Sequence, residues 1–428
     1  MTISRWCAAA LTLSFAGTTA SAENWPEWRG PRHNGLSTET GIKGSWAKDK
    51  NIAWRVPLPG QGGSTPVIWE DRIYLTSSEG DDLVTLCAST AGQTLWKTKI
   101  GTGNKDARAG EGNSASPSPS TDGKHVWVFF GNGDLACLDR NGKIVWQFNV
   151  EERYGKIDIQ FGMTSTPILH EGALYLQLIH GAWREDYTVG KVIKLEAATG
   201  QQIWAIDRQQ SPKEECKHAY SSPILVPGPA PHLVTHGGDC TVGHSLADGK
   251  EIWRLDELNG PSRYNKNYDG TLRFVATPTA SEGFVVVPTA KGGPVLGLQT
   301  NVLTGNITGK EDAVRWVGDR TPDVSCPVIL DGLVYLCMND GRLLCLDLKS
   351  GEKKYETRIH NAQHRASGVV SEGKIYFTAR DGVCTVVKAG PTFELLSEND
   401  LGEPQTASPV ISNGTLYMRT YDAIYAIR

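Results

Sequence analysis

The stretch Cys326-Pro-Val-Ile-Leu-Asp331-Gly-Leu-Val-Tyr335-Leu-Cys337 joins a proline, a short apolar run, an Asp-Gly pair and a second apolar run that contains a tyrosine. Two β-branched runs around Asp-Gly read as a tight β-hairpin. Pro327 cannot donate to a ladder on a second side, so the first run is an edge strand. The tyrosine falls eight residues after the proline. The same interval separates Pro66 from Tyr74, Pro167 from Tyr175, Gly368 from Tyr376 and Pro409 from Tyr417. Read along the chain, the opening steps fall at Pro66, Pro117, Pro167, Pro223, Pro278, Pro327, Gly368 and Pro409, at intervals of 41 to 56 residues. That period, in units of several short strands, predicts propeller blades with the proline strand innermost, facing a central channel.

Each copy goes on to a third apolar run, a glycine turn and a last run. The last run carries Trp96, Trp146, Trp204, Trp253 or Trp316; Tyr355 takes the place in copy six, and copy seven has only Phe393 nearby. A large ring at one repeat position is what packing between neighbouring blades requires, and it is read here as packing rather than as a row of ligand platforms. The last copy stops after Ala423–Ile427 without a fourth run, while Asn51-Ile-Ala-Trp54-Arg-Val56 has the tryptophan pattern and no copy before it. The expected fold is therefore all-β: an eight-bladed β-propeller of four-stranded antiparallel blades over residues 51–428, its ring closed by the N-terminal strand.

Composition agrees. At 428 residues, 39% hydrophobic and 8% aromatic, the chain is too apolar for disorder. A net charge of −4 gives no footing for nucleic acid. Arg5, the apolar run Cys7–Phe15 and Ala20-Ser-Ala22 predict a signal peptide over residues 1–22, followed by an extension over 23–50. The expected location is periplasmic or secreted, without a transmembrane segment and as a monomer.

Leu195-Glu-Ala-Ala-Thr-Gly200-Gln-Gln-Ile-Trp204 resembles the tryptophan-docking motif of the pyrroloquinoline-quinone (PQQ) type repeat, and Asn24-Trp-Pro-Glu-Trp-Arg-Gly-Pro31 is similar to the opening of exported PQQ-like, BamB-like propellers of unassigned function. The resemblance covers about residues 24–428. It implies the fold and leaves the activity open, because such propellers include both scaffolds and quinoprotein dehydrogenases. The chain lacks the adjacent cysteine pair that the dehydrogenases commonly carry, and has no His-Glu-x-x-His, Gly-x-Ser-x-Gly or Cys-x-x-Cys. No catalytic residue and no metal set is assigned.

The expected role is a binding platform in the periplasm or cell envelope, without a cofactor, for an unknown protein partner or a polar small molecule. The alternative is a quinoprotein-type dehydrogenase, with PQQ and calcium, or a carbohydrate-active enzyme on the same scaffold. Residues three to five positions before each opening step should ring one mouth of the channel. They include His218, Tyr220, Arg273, Asp323, His364 and Arg365, a mixture suited to a polar or anionic ligand. A two-residue turn at Asp331-Gly332 sets Cys326 opposite Cys337, where export would permit a disulfide.

Overall fold

A computed structural model describes residues 23–108, 112–182, 187–266 and 273–428. The signal peptide expected over 1–22 lies outside them. Among the described residues eight sheets of four or five strands follow one another around the ring, with a further two-stranded hairpin of Asp106–Arg108 and Gly112–Asn113 beside them. Blade six shows the common plan. Val328–Leu330 is innermost and pairs with Leu333–Cys337; Arg342–Asp347 and Lys353–Arg358 follow outward, each antiparallel to the last. Asp331 and Gly332 both have positive φ, +50° and +73°, the twist-matched two-residue turn that this sequence predicts.

The closure is as expected. Ile52–Pro57 is the outermost strand of blade eight, with Trp54 opposite Ala426 and Val56 opposite Ile424. The repeated tyrosines Tyr74, Tyr175, Tyr335, Tyr376 and Tyr417 are buried in the sheets. In every blade the register slips by one residue between the third strand and the outermost one, beside the tryptophan position where there is one. Such a bulge raises the local twist and turns the side chain toward the neighbouring blade.

The tryptophans form an outer belt. Trp54 of blade eight donates its indole N–H to Thr90 O of blade one at 3.0 Å, and Trp96, Trp146 and Trp204 do the same to Arg140, Ala197 and Leu246 of the next blade. Trp316 reaches Leu348 O of blade six at 2.7 Å. The indole of Trp146 lies so close to Gly200 that a Cβ there would sit 2.9 Å from the ring, and φ at Gly200 is +69°, so the turn requires glycine twice over.

Two departures from the expected plan have plain causes. Blade two opens at Pro119, not Pro117: Ser120–Thr121 is its innermost strand, and Ser120 faces Trp127. The eight-residue interval, counted from Pro119, then holds in this blade as well. Blade four has a fifth strand, because Gly305–Asn306, in the connection between the third and outermost strands of blade five, lies parallel to Trp253–Arg254.

The extension over 23–50 runs across the face where the innermost hairpins turn. Trp25 exchanges two backbone bonds with Ile68 of blade one, and Pro26 accepts from Thr121 of blade two. Glu27 accepts from Leu169 N of blade three at 2.6 Å, and Glu39 accepts from Asn413 and Gly414 of blade eight. Trp46 stacks on Tyr376 of blade seven, ring centroids 6.5 Å apart. No helix among the described residues is long and apolar enough to cross a membrane.

Candidate functional site

The channel wall is built from the residue just before each opening step. A residue before proline is held extended, so its N–H points sideways along the ring toward the next blade. Thr65 N donates to Ser118 Oγ, Ser118 N to Thr166 Oγ1, Thr166 N to Ser222 Oγ and Ser222 N to Thr277 Oγ1, at 2.9–3.0 Å. Cys326 N donates to Ser367 Oγ, Ser367 N to Ser408 Oγ, and Ser408 N back to Thr65 Oγ1, at 3.0–3.2 Å. Seven of eight links of this inner belt are made. The missing one runs from Thr277 to Cys326, where a thiol, a weak acceptor, replaces the hydroxyl. Every hydroxyl in the belt is at least nine-tenths buried.

Above the belt lies a cavity of about 210 Å³. Of the six residues expected there, Tyr220, Arg273, Asp323 and Arg365 line it. Arg273 is held by Glu215 at 3.0 Å and lies over the Phe161 ring at 4.6 Å. The Tyr220 hydroxyl accepts from Phe161 N at 3.2 Å. Trp28 of the extension also reaches the cavity. Beside it, Arg29 donates to Gly368 O at 3.0 Å and to Asn34 O at 2.9 Å. Burial pulls the Arg29 guanidinium below its ordinary value.

His218 and His364 do not line the cavity; this part of the expected mouth is corrected. Both are 1% exposed. His218 Nε2 meets Gly181 O at 2.8 Å and His364 Nδ1 meets Ala362 O at 3.0 Å. Burial lowers both, His364 to about 4. The disulfide expected between Cys326 and Cys337 is also corrected: both are free thiols. The ladder of the innermost hairpin begins only at Val328. Cys326 therefore faces the cavity, while Cys337 packs in the core between blades six and seven.

Sequence reasoning missed the hydroxyl belt, although its signal, Ser or Thr at the position before the opening step, was available. It also missed the reach of Trp28 and Phe161, which no repeat position marks. A calcium-bound quinone does not fit this wall. Asp323 is the one carboxylate among the described lining residues, whereas calcium takes six to eight oxygen ligands. Among the described residues no group of three or more His, Cys, Asp or Glu could hold a metal ion.

A family model described as "Outer membrane protein assembly factor BamB" matches residues 44–176, 80–357 and 188–428. Outer membrane protein assembly factor BamB of Yersinia pestis is 23% identical over 330 residues, which span 75% of this chain and 74% of that protein. Its counterpart in Burkholderia pseudomallei (strain K96243) is 26% identical over 209 residues, 48% of this chain and 46% of that protein. Among solved structures, BamB from Moraxella catarrhalis superposes with a TM-score of 0.61 at 14% identity, over 90% of this chain and 99% of that one. A europium-containing methanol dehydrogenase gives 0.65 at 13% identity, over 92% and 89%. At such identities the structural likeness establishes the propeller fold, which scaffold and dehydrogenase share. The three sequence matches together span residues 44–428, and on that ground the chain belongs to the family of outer membrane protein assembly factor BamB.

Proposed function

We propose that the protein is a scaffold of the cell envelope, on its periplasmic side, that holds extended segments of other proteins against the outer edges of its blades. The observation that carries this reading is the outer rim. Six outermost strands each expose a branched aliphatic side chain, among them Leu95, Val145, Ile203 and Val317, at 38–51% exposure. Folded proteins commonly blunt such edges with charge, and blade six does so: Lys353, Lys354, Glu356 and Arg358 alternate around ion pairs on its rim. In blades one, two, three, five and seven the sheet ends, among the described residues, at a strand that carries such an apolar side chain, the combination that strand addition uses. Blade four already takes a short strand, Gly305–Asn306, on that edge. The relatives' name, outer membrane protein assembly factor, supports a polypeptide as the partner, and the signal peptide read over residues 1–22 supports export.

Hydrogen exchange of the full chain with a ten-residue peptide of alternating aliphatic and polar residues tests the reading. Amides of Thr94–Thr102, Ile144–Asn149 and Gln202–Asp207 should gain protection, those of Lys353–Arg358 should not, and Leu95→Lys with Ile203→Lys should abolish the effect. No gain on any outermost strand would overturn the proposal.

A further inference from the structure

We infer that the central channel is a binding site for a small organic oxyanion, a carboxylate or phosphate carried on a compact apolar body. This goes beyond the rim reading and does not depend on it. The first support is the inner belt. A hydroxyl has one donor and two lone pairs. Each of the seven belt hydroxyls accepts a backbone N–H, and none of them donates to another group among the described residues. All seven border the cavity. Buried donors are normally satisfied, and seven hydroxyls that border one space suit an occupant rich in acceptors.

Guanidinium groups supply further donors. Arg273 and Arg365 both line the cavity; among the described residues the carboxylates at this site are Asp323, which lines it, and Glu215, which pairs with Arg273. The Arg29 guanidinium is bonded to the carbonyls of Asn34, Gly368 and Pro327, and the last two belong to residues adjacent to the cavity-lining Ser367 and Cys326. Guanidinium matches the two-oxygen edge of carboxylate and phosphate. Arg273 is set in place by Glu215 and Phe161, so little side-chain freedom is lost when a ligand arrives. The apolar part of the ligand is given by Phe161, Tyr220 and Trp28, which bring three aromatic rings to the cavity. At about 210 Å³ the space lies below the range of drug-sized pockets, roughly 300–1,000 Å³, which selects a small molecule over a peptide.

The test is saturation-transfer NMR on the full chain with benzoate and phenyl phosphate as probes and benzyl alcohol as the uncharged control. Both oxyanions should give saturable, mutually competitive signals, the tighter arm identifying the headgroup, and benzyl alcohol should give none. Arg273→Gln with Arg365→Gln should weaken binding about tenfold or more. Cys326→Ser adds an eighth hydroxyl without removing a donor and should tighten binding about two- to fivefold, which keeps the proposal open to refutation even if the double variant folds poorly. No saturable signal from either oxyanion, an equal response to benzyl alcohol, or unchanged affinity in Cys326→Ser would overturn it.

Discussion

On the inner rim a blade reaches its neighbour through a backbone N–H aimed at a hydroxyl; on the outer rim it does so through an indole N–H aimed at a carbonyl. The two belts are broken at different junctions. From blade eight through blade four both links are present at every step. Between blades four and five the outer link is lost, because Trp253 turns into its own blade and donates to His232 Nε2 at 2.9 Å, yet Ser222 still holds Thr277. Between five and six the inner link is lost at Cys326, and there Trp316 makes the shortest indole bond of the belt. From six to eight the inner links persist while the outer strands carry no tryptophan. No junction lacks both. Each outer gap also has a local substitute: the strand Gly305–Asn306 at four–five, the Tyr355–Phe393 ring pair at six–seven, and Trp46 of the extension on Tyr376 near seven–eight. A repeat ring tolerates divergence at one rim only where the other rim is kept.

Acid should reverse that ranking. His180, His236 and His244 lie in blades three and four, inside the doubly linked arc. Burial holds them at about 4, about 3 and about 4. His218 and His232 shift the same way, whereas His364 is the one such group at junction six–seven. These imidazoles stay neutral in the fold while the unfolded chain protonates near 6.5. Stability is therefore full above about pH 6.5, falls as pH drops toward 4, and levels off below the folded values. Each of the three deeply buried groups contributes on the order of 3 kcal/mol to the loss. By native-state hydrogen exchange at pH 5, Ala173–His180 and His232–Gly237 should open before the strands of blades six and seven. The reverse order at pH 5 would show that the imidazoles do not control the arc.

A smaller effect isolates the junction that depends on one indole. Trp316→Ala should cost about 3–5 kcal/mol in urea unfolding, against about 1–2 for Trp96→Ala, which leaves the inner link of its junction in place. Equal losses would mean that the two belts do not share load. The smallest effect is a gain. Cys326→Ser gives Thr277 N a hydroxyl to bond and should stabilise the fold by about 1 kcal/mol, read as a higher urea midpoint with an unchanged slope.

The outer belt was legible in the sequence because tryptophan is rare and its spacing regular. Closure by Trp54 was legible for the same reason, together with the missing fourth strand after Ile427. The inner belt was harder to see: serine and threonine are common, and a hydroxyl that matters through one backbone bond leaves no periodic apolar trace. Ser116-Pro117-Ser118-Pro119 offered two equivalent steps, and only the pairing of Ser120 with Trp127 separates them. At the mouth, distance along the chain from the opening step locates Tyr220, Arg273, Asp323 and Arg365 but does not tell which way a side chain turns, so it also puts His218 and His364 there, whereas both are buried and neither lines the cavity.

The closing strand sets an order of events in time. Ile52 pairs with Ile427, 375 residues away, while the hairpins inside a blade close over two residues. Loop-closure entropy grows only logarithmically: a separation of 375 residues costs about 5 kcal/mol, against about 3.5 for a span of one blade. The ring therefore closes almost as readily as one more blade would form, but only once the residues of its last blade are available. Until then Ile52–Pro57 has no sheet to join, and during synthesis the first strand of the propeller to emerge is the last to find its partner.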